Sequence, residues 1–196
     1  MKALFDPVTH TYRDESGVEY PSVTTIIKEI WPVSTRYYTD EGRDWGTEVH
    51  EATAMIDQGL IELEDLDGPL RLACHSWTTF RDRLECEIVA VEESFLHPLL
   101  SYAGTADRLV RMPGQDGTEM TVLLDLKTGR PEKWHELQLG AYAVGLQKHL
   151  IVDIQAAMTV HIPKEGAARS IGVNVEAGAS AWKALRRWQL YRETFR

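Results

Sequence analysis

The chain has 196 residues, 43% of them hydrophobic and 26% charged, and its 30 acidic against 21 basic residues leave a net charge of −9. This is average for a globular domain, and a chain of this size hides roughly 70% of its unfolded surface without needing disulfides or a structural metal. The acidity excludes a protein that coats nucleic acid or an anionic membrane by bulk charge, though not one with a local basic groove.

No run approaches the roughly 18 consecutive apolar residues of a membrane span, and Pro7 interrupts the opening segment before a signal-peptide apolar stretch, so a cytoplasmic protein is expected. The two cysteines, Cys74 and Cys86, fall in a segment that reads as helix, which separates them by about 18 Å. That is too far for a disulfide, and two thiolates hold neither a four-cysteine cluster nor a cysteine-rich zinc site. Any metal must be bound by oxygen and nitrogen.

In chain order, residues 4–27 read as an N-terminal hairpin of short extended pieces around Phe5-Asp6-Pro7 and Asp14-Glu15-Ser16-Gly17. Ser22 or Thr24 caps a short helix through Ile26, Ile27 and Ile30, which Pro32 ends. Thr47 is expected to cap a helix carrying His50, Ala54 and Ile56, with Gly59 near its stop. Pro69 opens a second long helix whose apolar positions are Leu70, Ala73, Trp77, Phe80 and Leu84. Strands follow over 87–96, 102–111 and 119–127, the last two joined by the turn Pro113-Gly114-Gln115-Asp116-Gly117. A helix over 136–148, strands near 152–161 and 169–175 and a helix over 177–194 complete the chain. The order predicts a single α/β domain with a central mixed β-sheet flanked by helices, its core over about 44–162 and a C-terminal strand and helix over about 168–195.

The most informative segment is Leu123-Leu124-Asp125-Leu126-Lys127-Thr128-Gly129. Period two puts Asp125 and Lys127 on one face at the end of a strand. A buried ion pair would explain these two alone. The preceding strand carries Gly104-Thr105-Ala106-Asp107, where Gly104 and Thr105 let the backbone bend and a hairpin sets Asp107 beside Asp125. Two such carboxylates need a shared proton or a cation between them, and a hard divalent ion suits their oxygens. An ammonium at Lys127 can then orient a water and offset charge on a phosphoryl oxygen. Glu92 and Glu93 add acids one strand earlier, His50 adds an imidazole, and Gln138 and Tyr142 share a helical face four residues apart.

Read together, Gly46-Thr47-Glu48-Val49-His50-Glu51, Glu92, Gly104-Thr105-Ala106-Asp107, Asp125-Leu126-Lys127-Thr128-Gly129 and Gln138-Leu139-Gly140-Ala141-Tyr142 resemble, in order, the RecB-like branch of the PD-(D/E)XK nuclease superfamily. Tyr20-Pro21-Ser22-Val23-Thr24-Thr25-Ile26-Ile27 is similar to the lead-in of its small phage members. The resemblance spans residues 5–142 and implies a restriction-endonuclease-like core. It also implies that Asp107, Asp125 and the Leu126 carbonyl bind Mg2+ or Mn2+. Lys127 would position the attacking water, Glu92 would be a further ligand, and His50 would bind a second metal or steer the first. Gln138 and Tyr142 would contact the DNA backbone or support Lys127. Glu93 stands one position from Glu92, which is preferred. Asp125 stands where relatives often have Glu.

The implied function is a metal-dependent exonuclease on linear duplex DNA in phage or prophage recombination or repair. Its implied partners are DNA ends, further copies of the chain and a single-strand annealing or recombination protein. A structure-specific or single-strand endonuclease and a non-catalytic DNA-end-binding module remain as alternatives. No Gly-rich phosphate loop is present, so the chain is not itself a helicase. For DNA contact the flanking Arg108, Arg130 and Lys133 stand out with Trp134 and His135, together with Trp45 and the basic stretch from Lys164 to Arg196. Residues 41–68 carry nine acids against Arg43 and are expected to face away from DNA. Trp182, Leu185, Trp188 and Tyr191 recur at helical spacing and are expected to pack in the core.

Overall fold

The computed structural model describes residues 3–6, 11–31, 39–114 and 116–195. Pro7, Pro32, Gln115 and Arg196, used above, lie outside them. The described residues form an α/β fold in which a five-stranded mixed sheet is flanked by helices.

The N-terminal segment is a small antiparallel sheet of β1 (Leu4–Asp6), β2 (Thr11–Arg13) and β3 (Glu19–Tyr20). It is tied to the main sheet where Ala103 N donates to Pro21 O. Ser22 Oγ accepts from Thr25 N and caps α1 (Val23–Ile30), which buries Val23, Ile26 and Ile27. The next helix, α2 (Asp40–Asp57), starts eight residues earlier than expected. Thr39, not Thr47, caps it by accepting from Gly42 N, whereas the Thr47 hydroxyl turns back onto Arg43 O inside the helix. Pro69 sits in the first turn of α3 (Gly68–Arg83), where its missing N–H costs nothing. Cys86 lies beyond α3, contrary to expectation, and both cysteines are free.

The main sheet runs β4-β5-β6-β7-β8, comprising β4 (Glu87–His97), β5 (Tyr102–Pro113), β6 (Glu119–Lys127), β7 (Ala156–His161) and β8 (Arg169–Val173). All neighbours are antiparallel except β6 and β7, which are parallel and joined by α4 (Trp134–Leu150). Strand alternation builds two cores. Leu123 joins Ala106, Leu109 and Phe95 under α1, α4 and α5 (Val175–Glu193), while Val122, Leu124 and Leu126 face Val49 of α2 and Trp77 of α3. Buried along most of its length, α4 carries few charges. It meets α5 backbone to backbone: a Cβ on Gly140 would fall 2.1 Å from the Gly178 carbonyl carbon. No helix among the described residues is long and apolar enough to cross a membrane.

On α5 the buried stripe is Gly178, Trp182 and Arg186. Leu185 is half-buried, but Trp188 and Tyr191 are each 58% exposed, so the expected core stripe holds only for its first half. Steps of three fall about 60° short of a full turn each time, which carries Trp188 and Tyr191 off the buried stripe, whereas Gly178, Trp182 and Arg186 keep steps of four.

Candidate metal centre

The β5–β6 ladder pairs Pro113 with Glu119 at one end and Arg108 with Leu124 at the other. Continuing the register sets Asp107 across from Asp125 beyond the last pair. There Leu126 N donates to the Asp107 side chain, Oδ2 at 2.6 Å, which orients that carboxylate. On the other side of β5, Val91 pairs with Arg108 and Glu93 with Ala106, so Glu92 lies across from Asp107. Glu92 has φ 50°, a left-handed conformation that costs a non-glycine residue on the order of 1–3 kcal/mol and is retained only where the surroundings enforce it.

From α2, His50 Nδ1 approaches to 3.6 Å from Asp107 Oδ2. One donor atom from each of His50, Glu92 and Asp107 lies within 4.8 Å of the other two. Asp125 stands beside this triad, 1% exposed, with Lys127 Nζ 2.5 Å from its Oδ2. Glu93 points elsewhere, to His149 Nε2 at 3.1 Å, so geometry separates the two adjacent glutamates.

Burial and nearby like charge favour the neutral forms of Glu92 and Asp125. Burial and the Asp107 charge push Glu92 up to about 8, against the opposing pull of Arg108. Burial pushes Asp125 up to about 6, with Lys127 opposing and Asp107 adding to the rise. Two carboxylates with an imidazole form a donor set able to hold a divalent cation.

Gln138 and Tyr142 on α4 are buried behind the carboxylates, with Gln138 Nε2 donating to Tyr142 Oη at 2.9 Å. Burial and then the charges of Asp125 and Asp107 raise the Tyr142 phenol well above its usual range. This placement fits a supporting role near Asp125 and not a backbone contact with DNA. Gly104 serves this packing by its size and not by bending the chain: a Cβ there would lie 3.0 Å from both the Phe95 and Tyr142 rings. Leu126 buries its side chain in the second core and enters the site through its N–H.

Two residues expected at a DNA surface are corrected. Arg108 is fully buried: Nε donates to Asp57 Oδ2 at 2.6 Å, Nη1 to Glu92 Oε1 at 3.1 Å and to Asp107 O at 2.7 Å, and Nη2 to Thr53 Oγ1 at 3.3 Å. His135 is also buried, its pKa pushed down to about 3 by burial and the nearby Lys127 and His161 charges, so it offers no cation to a phosphate. Trp134 packs edge-to-face on it, half-buried, while Arg130 and Lys133 are exposed beside the end of β6. In the basic C-terminal stretch, Arg186 is buried and bonded to Leu100 O and Ser101 O. Trp45 lies under Lys164, whose Nζ is 5.1 Å from the ring centroid.

The sequence reading missed Asp57 and Thr53. Of the nine acids between residues 41 and 68, only Asp57 is withdrawn from solvent, where it takes Arg81, Arg108 and Trp77. The signal was available: His50, Thr53 and Asp57 fall at i, i+3 and i+7 on one helical face. Tyr12 was also missed. Its hydroxyl bonds Thr105 Oγ1, which bonds Ser94 Oγ, and this brings the N-terminal sheet near Glu92 and Asp107.

No known protein family matches this chain, and no curated protein is significantly similar to it.

Proposed function

We propose that this protein is a divalent-metal-dependent deoxyribonuclease of the PD-(D/E)XK type, acting as an exonuclease on linear duplex DNA. The observation that carries the reading is the convergence of Glu92, Asp107, Asp125, Lys127 and His50 from three strands and one helix. In this reading Asp107 and Asp125, with the Leu126 carbonyl, hold Mg2+ or Mn2+, and Glu92 and His50 complete or steer the site. A bound divalent ion supplies the charge that makes water a nucleophile near neutral pH and stabilises the departing 3′ oxygen. Lys127 orients that water and offsets charge on the phosphoryl group. Gln138 and Tyr142 hold the Asp125 side of the site, and Arg130, Lys133 and Trp134 meet the DNA backbone near its end.

We assign its setting to phage or prophage recombination or repair in the cytoplasm, with DNA ends, an annealing protein and further copies of the chain as partners. The test is incubation with linear and circular duplex DNA and Mg2+. The proposal expects nucleotides released from linear DNA only, and no release by Asp125→Ala or Lys127→Ala. Equal cleavage of the circular form would identify an endonuclease. Intact DNA in every reaction would reject the nuclease reading.

A further inference from the structure

Arg108 sits behind the centre with no exposed surface, and four directed hydrogen bonds account for most of its five donors. Two of those bonds, both from Nη1, go to the carboxylate of Glu92 and the backbone carbonyl of Asp107. The other two anchor the guanidinium on α2, through Asp57 and Thr53. Asp57 is held in turn by Arg81 Nη1 at 2.6 Å and Trp77 Nε1 at 2.9 Å, and the Arg108 guanidinium lies over the Trp77 ring at 5.7 Å. A rigid planar fork is suited to fixing several acceptors at once, as the flexible ammonium of lysine is not.

We infer that Arg108 is a positioning residue of the metal centre, clamping Glu92 and Asp107 at the spacing of two ligands and referring both to α2, which also supplies His50. This rests on the reading of Glu92 and Asp107 as metal ligands. The left-handed backbone of Glu92 supports it, because a conformation unfavourable in itself is kept where a contact such as the Arg108 bond holds the residue. Outer partners of this kind commonly change metal affinity by about 10–100-fold when removed.

Mn2+ affinity, measured by calorimetry on folded protein, tests the inference without recourse to activity. Arg108→Lys keeps the charge but loses the fork, and is expected to weaken Mn2+ binding by about tenfold or more. That loss should shrink in a Glu92→Gln background, as coupled residues require. Arg186→Met removes another buried arginine, bonded to Leu100 O and Ser101 O and to no residue of the centre, and is expected to lower the melting temperature while leaving Mn2+ affinity unchanged. Wild-type affinity in Arg108→Lys, or an equal loss in Arg186→Met, would overturn the positioning role. Should Arg108→Lys fail to fold, Thr53→Val, which removes one anchor of Arg108, is expected to weaken Mn2+ binding in the same direction, and unchanged affinity there would overturn it. The underlying metal reading fails separately: wild type would then bind no Mn2+, and Asp107→Asn would change nothing.

Discussion

Asp107 takes the place of a strand partner for Leu126, its Oδ2 accepting the Leu126 N–H at 2.6 Å where the β5–β6 ladder has ended. The bond aims one carboxylate and satisfies a buried donor at the same time. Stability and metal binding are therefore separable at this position. Asp107→Asn keeps an acceptor for the N–H, whereas Asp107→Ala strands it, which costs about 1–3 kcal/mol. Both variants are expected to lose metal binding. Thermal unfolding without metal should find the alanine variant less stable than the asparagine variant by about that amount.

At Lys127 the expected loss is in rate more than in binding. Lys127→Met removes the group that orients water and should slow DNA hydrolysis by about 10²–10⁴-fold. Single-turnover kinetics at saturating Mg2+, with calorimetry confirming that metal still binds, would check this.

The raised carboxyls predict a definite pH response. Glu92 is at about 8 in the fold against an ordinary 4.5, so the metal-free fold holds a proton that the unfolded chain has released. The associated stability is complete below pH 4.5 and is lost as pH rises through about 8. Asp125, at about 6, behaves likewise over a lower window, where His135 opposes it by favouring the neutral fold above its ordinary 6.5. Between pH 7 and 8.5 the Glu92 effect stands clear of both. Over that window the metal-free melting temperature is expected to fall with pH and the Mg2+-saturated one to stay flatter. Calorimetry in buffers of differing ionisation heat should find protons released on Mg2+ binding at pH 7.

On the DNA side, Arg130→Ala and Lys133→Ala should each reduce the slope of log affinity against log salt by about one, uniformly across DNA sequences. Fluorescence anisotropy with a short duplex and Ca2+ in place of Mg2+ measures this without cleavage. The surface tryptophan Trp188, remote in sequence from these cations, should leave the slope unchanged when replaced by alanine.

Much of the fold was legible because its strands carry local signals. Alternation in Val122-Leu123-Leu124-Asp125-Leu126-Lys127 sorted the two cores and the two functional residues alike, and the turn at Pro113 to Gly117 marked the hairpin that opposes Asp107 to Asp125. The start of α2 was less legible because Gly42 and Gly46 lower helix propensity over its first turns, so Thr47 looked like a cap although Thr39 does the capping. Arg108 and His135 were misjudged for a common reason. Charge beside a motif suggests a surface, but burial depends on what packs behind a strand or helix, and the partners Asp57, Thr53 and Trp77 lie 31 to 55 positions away from Arg108. The choice of Glu92 over Glu93 turned on the strand's two faces, which the register with β5 resolves.

The most direct measurement is release of labelled nucleotide from end-labelled linear duplex DNA with and without Mg2+, comparing wild type with Asp125→Asn. The account predicts release by wild type only when Mg2+ is present, and none by Asp125→Asn under either condition. Release that persists in chelator, or in Asp125→Asn at the wild-type rate, would contradict it.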